Sequence, residues 1–494
     1  MTLVNNIKKM QMISTENGDA AYRTTCNANL DFFSTAAAAR YNKQLVLRLF
    51  ECALKENPAM AIKNALYLRD VRHGLGERDG FRLVYSILCR KHPEIACRMT
   101  ESVVEVGRYD DLLWALDTPC EADVVDYLKK KLMDDMKKLE AGESVSLCAK
   151  WMPSINSGNQ LVVDKAKKLA KGFGMRQENY RRMLSKLRAD VLENKLRVKD
   201  YSFEYEHVPS KAMMKYSEAF LRNDTARYRQ FLDDCAAGKK TLSSKTLFPY
   251  EIIRGYHERL SEEEKTQREL AWRNLPRESS SLNTIVVRDG SGSMTWFNGL
   301  PIQIATSLAI LTSEMLSGEF KNKFITFSSN PELVELPEGT LLEKLKECEK
   351  YNDYTNTDLT KVFDLILRAS STPGFKKEDA VERILIISDM EFDRGVENVP
   401  VYETFKKKYE ALGLPIPEVV FWNVCARAGH FAAQADDPNV RFVSGASNHV
   451  IAEIFNHQVP DALSLMQQTL ERYSYVDDWF DDTLKIQIIG KKSR

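Results

Sequence analysis

From residue 284 onward the chain alternates short apolar runs with segments of helical period, and few folds accommodate that alternation. The runs are TIVVRD (284–289), KFITFS (323–328), RILIISD (383–389), EVVFWNV (418–424) and VRFVSG (440–445). Each is rich in β-branched or aromatic residues and nearly continuous in apolar character, as a strand covered on both faces must be. Segments 301–317, 358–370, 402–412 and 448–457 have helical period and separate most of the runs. ELVELP (332–337) follows the second run closely enough to return as an antiparallel edge. Strands alternating with helices imply a parallel sheet, so residues 281–471 are predicted to form a doubly wound α/β domain.

Upstream the pattern is different. Apolar residues recur every three or four positions through residues 42–116, broken by turns at Asn57-Pro58, Gly74 to Gly80, His92-Pro93 and Gly107. Alternating strand patterns are almost absent before residue 280. Helices of roughly 12 to 18 residues joined by short turns predict an antiparallel, HEAT-like helical array over residues 21–280. The polar stretch SEEEKTQRELAWRNLPRESSSLN (261–283) marks the predicted boundary, with residues 1–20 a flexible N-terminus and 472–494 a C-terminal extension. At 494 residues, two domains are the default in any case.

Nothing approaches eighteen consecutive apolar residues, and the N-terminus lacks the apolar core of a signal peptide, so no membrane span is expected and a cytoplasmic location is. The nine cysteines are widely spaced with no CxxC pair, which predicts reduced, buried thiols and neither a disulfide framework nor a zinc site. The net charge of zero conceals a division. Residues 1–280 carry 48 Lys and Arg against 39 Asp and Glu, whereas residues 281–494 carry 22 against 31. A basic first part could meet a polyanion, and an acidic second part could hold cations.

The most specific chemistry lies where the first strand ends, in IVVRDGSGSM (285–294). In an open parallel sheet, ligands bind beyond the carboxyl ends of the strands, where strand order reverses. Asp289 ends one strand there, and Ser291 and Ser293 follow on alternate positions. Asp389 ends RILIISD at the same edge, and YTNTDLTKVF places Thr357 on a neighbouring loop. Two acids and three hydroxyls form an all-oxygen set, which suits a hard divalent cation such as Mg²⁺ or Mn²⁺. Thr355 stands two residues from Thr357; the NTD context favours Thr357. Glycines at 290 and 292 are expected to let the loop turn tightly enough to aim both serines inward.

Asp289, Ser291, Ser293, Thr357 and Asp389 together resemble the metal-ion-dependent adhesion site of the von Willebrand factor A fold. That resemblance implies that Ser291, Ser293 and Thr357 ligate the metal, that Asp289 and Asp389 act largely through bound water, and that one position stays open for an acidic residue of a protein partner. In the first half, LYLRDVRHGLGERDGFR (66–82), GRYDDLLW (107–114), AKWMPS (149–154), VPSKAMMKYSEAFLRND (208–224) and LFPYEIIR (247–254) resemble an uncharacterised family of bacteria, plants and large viruses. That family joins a helical domain to a von Willebrand factor A domain, and the resemblance spans about residues 20–470. Its architecture is similar to that of the Ro autoantigen (TROVE) family, whose ring of HEAT-like helices binds small structured and misfolded RNAs. The implied function is that of a Ro-like, non-catalytic binding protein.

One stretch of the first half suits RNA by itself. Between Asp164 and Asp200 there are twelve basic residues against five acids. Lys165, Lys167, Lys168, Lys171, Arg176, Arg181, Arg182, Lys186 and Arg188 could face phosphates, with Phe173 and Tyr180 stacking on bases. A solvated helix face reads the same way. The turn carrying Arg69, Asp70, Arg72, Glu77, Arg78 and Arg82 is open to two readings, an inter-helix salt-bridge network or an RNA contact. A protein–protein scaffold without RNA is the alternative function. A phosphatase of the haloacid dehalogenase type would need an acid two positions after Asp289, where Ser291 stands and cannot serve. No His is expected at the sheet's carboxyl edge, His430 being the nearest exception, so no enzymatic activity is expected.

Overall fold

A computed structural model describes residues 12–280, 282–328, 330–352, 358–392, 400–456 and 459–480. Its packing divides the chain into two compact units, one of residues 1–68, 72–80 and 244–494, the other of residues 69–71 and 81–243. The C-terminal extension is described only to Phe480, one residue past the helical turns Glu471–Trp479; its remainder lies outside the described residues.

In the first unit, β1 (Met12–Ser14) and β2 (Ala20–Tyr22) form an antiparallel hairpin. A second sheet contains β3 (Thr284–Asp289), β4 (Lys323–Phe327), β5 (Leu333–Glu335), β6 (Arg383–Ser388), β7 (Glu418–Asn423) and β8 (Val440–Ser444) in the order β5-β4-β3-β6-β7-β8. Every neighbouring pair is parallel except β4 with β5, the antiparallel edge expected from ELVELP. All six residues of β3 and all six of β6 are buried. Because alternate side chains point to opposite faces, this means both faces of the central strands are covered. The sequence-read helices are in place as Trp296–Met315, Leu359–Ser370, Val401–Ala411 and His449–Asn456.

Long strands begin just past the predicted boundary near residue 280, and the first compact unit does not start there, since it also takes in segments before it. The helix Ala28–Thr35, capped by Asn27, packs against β8. There Ser444 Oγ donates to the Phe33 carbonyl at 3.2 Å. Gly445, with φ of 92°, lies so near Ala37 that a Cβ would come within 2.9 Å of the Ala37 methyl. Nor are residues 12–20 a flexible tail. Tyr22 exchanges backbone hydrogen bonds with Phe431, and Thr15 Oγ1 donates to the Phe392 carbonyl at 2.6 Å. Composition records local propensity, whereas a unit's boundary depends on packing between segments some four hundred residues apart.

The second unit is helical in all its described regular elements, including Glu121–Glu140, Gln160–Gly172, Gln177–Leu187, Ser210–Asn223 and Thr225–Ala236. An aromatic cluster of Tyr205, Phe220, Tyr228 and Phe231 fills one part, with ring centroids 5.2 to 5.5 Å apart. A buried ion network fills another. Asp111, fully buried, accepts from Arg69 Nε at 2.8 Å, Arg82 Nε at 2.6 Å and the Arg108 backbone at 3.0 Å. Arg82 also reaches Asp110 at 2.7 Å. Gly107 abuts this network: a Cβ there would come within 2.7 Å of Asp111 Oδ2 and 2.9 Å of Arg69 Nε. Arg69 and Arg82, from the charge-dense turn, therefore serve an internal salt-bridge network.

All nine cysteines are free thiols, six of them buried. No helix among the described residues is long and apolar enough to cross a membrane.

Removing one partner from a buried charge network leaves the others uncompensated, which costs about 3–5 kcal/mol. Asp111→Ala is therefore expected to lower the unfolding free energy of the full chain by about that amount, as read from urea denaturation. A loss below about 1 kcal/mol, the worth of a surface pair, would show that water reaches this network.

Candidate functional site

The order of the sheet reverses between β3 and β6, so their carboxyl ends flank the crevice where an open parallel sheet receives ligands. Asp289 is the last residue of β3, and Asp389 directly follows β6. Both are buried, at 0% and 2% exposed. Asp289 Oδ1 accepts the Ser291 N–H at 2.9 Å, which folds the loop back over the strand end, while Oδ2 accepts the Ser388 hydroxyl at 2.6 Å. The Ser291 and Ser293 hydroxyls lie 3.1 Å apart. The Ser293 side chain also acts on Asp389, favouring its charged form. Four of the five predicted ligands thus converge. The fifth, Thr357, and its alternative Thr355 lie outside the described residues.

The glycines act differently from expectation. Neither Gly290 nor Gly292 has a left-handed φ. Gly290 is required by space, since a Cβ would come within 2.9 Å of the Tyr351 carbonyl. The loop is pressed against residues 351–352, which lead into the stretch carrying Thr355 and Thr357. Beneath it, the buried Arg288 donates to Thr306 Oγ1 at 3.0 Å and the Cys348 carbonyl at 3.3 Å, and also to Asn352.

Electrostatics give the site its character. Burial, reinforced by the negative charge of Asp389, pushes the Asp289 carboxyl up to about 7. Burial also raises Asp389, against the pull of Arg427. Two buried carboxylates so close are short of positive charge. Arg427 supplies some: its Nη2 lies 3.1 Å from Asp389 Oδ2 and its Nη1 3.3 Å from Glu16 Oε2. Its guanidinium also lies 4.6 Å from the ring centroid of Trp296, which is 52% exposed. The next two residues, Phe297 and Asn298, hold left-handed φ of 54° and 60°, which strains the bulky Phe297 whereas Asn adopts this region readily.

Three residues at this edge escaped the sequence reading, Glu16, Glu391 and Arg427, and His430 was named there only as the nearest exception. His430 does reach the carboxyl edge, contrary to expectation. Its Nε2 lies 3.1 Å from Glu391 Oε2, which also accepts the Glu16 N–H at 2.8 Å. Burial first and Arg427 second lower His430 to about 4, so the ring is neutral near pH 7. Burial raises Glu391 to about 7. A signal for Arg427 and His430 existed, because ARAGH follows the carboxyl end of a strand, where the switch-point rule directs attention. Nothing local points to Glu16.

The donor set fits a hard divalent cation, being all oxygen with two carboxylates in need of compensation. Ser291, Ser293, Asp289 and Asp389 could hold one. Among the described residues no group of three or more His, Cys, Asp or Glu could do so, and here hydroxyls make up half of the donors.

On the helical unit the predicted basic residues separate into classes. Lys167, Lys171, Arg176, Arg181 and Lys186 are exposed and make no ion pair with a described carboxylate. Lys168 is paired with Asp117 and Glu121, and Arg182 with Glu178. Arg188 is turned inward, donating to the Ala149 carbonyl and Ser154 Oγ, each at 2.7 Å. Lys165 lies beside Trp114. Phe173 and Tyr180 cannot stack on bases, because both are buried core residues and Tyr180 donates its hydroxyl to the Pro153 carbonyl.

Hydrogen bonds to buried carboxylates are among the more valuable, at about 1.5–3 kcal/mol. Ser388→Ala should lower the stability of the metal-free chain by about 1.5–3 kcal/mol in urea denaturation. An unchanged midpoint would mean that Asp289 draws its support from elsewhere.

Comparison with known proteins gives three similarities. Residues 283–474 match the family described as Domain of unknown function (DUF7788). Residues 15–110 and 159–280 match Domain of unknown function (DUF2828). The chain is also similar to an uncharacterised protein of Acanthamoeba polyphaga mimivirus, at 28% identity over 510 residues that cover 93% of this chain and 87% of the viral one.

Proposed function

We propose that this protein is a non-catalytic binding protein whose α/β unit presents Mg²⁺ or Mn²⁺ to a carboxylate of a protein partner, in the manner of a von Willebrand factor A metal-ion-dependent adhesion site. The observation that carries the reading is the convergence of Asp289, Ser291, Ser293 and Asp389 at the point where strand order reverses. Serine hydroxyls bring no charge, so a cation held by them keeps an appetite for an outside anionic oxygen. Thr357 would complete the set. The exposed Trp296 beside the site adds the kind of aromatic anchor on which protein interfaces depend. When bound, the metal supplies a Lewis-acidic docking point; Asp289 and Asp389 orient the hydroxyls and offset its charge.

Calorimetric titration of MgCl₂ or MnCl₂ into the full chain should reveal one site. Ser291→Ala combined with Ser293→Ala should abolish it, and equal binding by that variant would sink the assignment. Arg427→Gln should tighten metal binding by about tenfold, because a tethered cation no longer competes for Asp389.

A second ligand is RNA, bound by the helical unit in a Ro-like way. The supporting observation is the set of five exposed cations, Lys167, Lys171, Arg176, Arg181 and Lys186, that lack carboxylate partners among the described residues. Each phosphate they neutralise releases counterions, so affinity should fall steeply with salt. Replacing Lys167, Lys171, Arg181 and Lys186 by Ala should flatten the slope of log affinity against log salt by about three to four. An unchanged slope would make this a solvated face and leave a protein scaffold as the reading. Capture of a protein partner by the full chain should be lost on adding a chelator.

A further inference from the structure

The helical unit holds a cleft of ≈ 590 Å³ lined by Trp114, Trp151, Lys150, Lys165, Arg188 and Glu193, among others. An adjoining cleft of ≈ 460 Å³ shares Ser154, Arg188 and Asn194 with it and carries Arg181 and Arg197. The first is of the size that takes a single small ligand, and the second continues it toward the exposed basic residues.

We propose that this cleft binds one unpaired nucleotide, with the base on Trp114 and the phosphate at Lys165. Three observations fit that chemistry and no single one carries it. Trp114 is 37% exposed, an unusual position for so large an apolar ring. Lys165 Nζ lies 5.7 Å from the Trp114 ring centroid and makes no ion pair within 4 Å with a described carboxylate. A half-buried ammonium without a paired acid favours an incoming anion. Glu193 pairs with Lys150 through Oε1 at 3.1 Å, but its Oε2 is shielded from water and has no hydrogen-bond partner among the described residues. A shielded acceptor oxygen calls for a donor, and a nucleotide offers amino or hydroxyl groups.

The local charge agrees. Among the charged residues lining the cleft, Arg82, Lys150, Lys165 and Arg188 outnumber Asp110 and Glu193. Arg188 is spent on neutral oxygens, so its charge is not cancelled by a carboxylate. Arg108 already covers the Trp151 ring at 4.0 Å, which leaves Trp114 as the stacking surface. The inference rests on the RNA reading above and specifies where a base would leave the strand; a free mononucleotide shares the same chemistry.

The test uses the full chain, a fluorescein-labelled single-stranded RNA ten nucleotides long, and adenosine monophosphate. RNA is followed by anisotropy and the mononucleotide by quenching of tryptophan fluorescence. Stacking of a base on an aromatic side chain is worth about 1–3 kcal/mol, so Trp114→Ala should weaken binding by about tenfold and Trp114→Phe should restore most of it. Lys165→Ala, a change on the surface of a helix, should weaken binding comparably without affecting the fold. Oligonucleotide binding that depends on Trp114, without mononucleotide binding, assigns the cleft to a residue of RNA. The reverse assigns it to a free nucleotide and removes the RNA reading. RNA binding unaffected by Trp114→Ala and Lys165→Ala, yet lost on replacing Lys167, Lys171, Arg181 and Lys186, overturns the cleft and leaves the RNA reading standing. Binding of neither probe overturns both.

Discussion

Two carboxylates buried side by side at the ends of adjoining strands set the terms for the α/β unit. Asp289 and Asp389 cannot both be ionised there without compensation, because burial raises both carboxyls and the charge of Asp389 raises Asp289 further. The surroundings answer with hydrogen-bond donors from Ser291, Ser388 and the Glu391 backbone, and with the guanidinium of Arg427. The donors come from the loop after β3, the end of β6 and the loop after β7, so the carboxylates act as the knot that ties these three into one surface. Such compensation is partial. One guanidinium, that of Arg427, is shared by Asp389 and Glu16, and the shortfall is what a divalent cation would fill.

The N-terminal segment belongs to this surface. The hairpin of β1 and β2 lays Thr15, Glu16 and Asn17 over Glu391 and Phe392, through hydrogen bonds of 2.6 to 2.8 Å. An acid is thereby brought to within an ion pair of Arg427, which itself holds Asp389. A carboxylate of the chain's own thus stands one guanidinium away from the candidate metal position. Any acidic partner that approaches the site meets a surface already arranged around Glu16 and Arg427.

The helical unit divides its charge between structure and surface. Arg69 and Arg82 are consumed by Asp110 and Asp111 inside the fold, where desolvation makes an unpaired charge expensive. Arg188 is turned inward onto carbonyls. The residues left outward, Lys167, Lys171, Arg176, Arg181 and Lys186, give the unit its basic face. A count of basic residues along the sequence could not separate these classes, because pairing is decided by which helices meet.

Much of the α/β unit was legible in the sequence. The strand runs and the helices between them appear almost where apolar continuity and helical period placed them, since both patterns are local and strong. Asp289, Ser291, Ser293 and Asp389 were legible for a related reason: a strand's end fixes an edge, and parallel pairing brings successive ends to the same edge. Tertiary structure decided the rest. The short strands β1 and β2 carry too few residues for a periodic signal, and their place depends on Tyr22 meeting Phe431 across the length of the chain. Phe173 and Tyr180 looked like stacking residues because a sequence shows which side chains are aromatic but not which way a helix turns them. Glu16 joins the site through long-range packing. The sequence alone determined where each strand ends and which oxygens stand there. Only the folded chain decided which charges face them, because electrostatic neighbours are set by distance in space and not along the backbone.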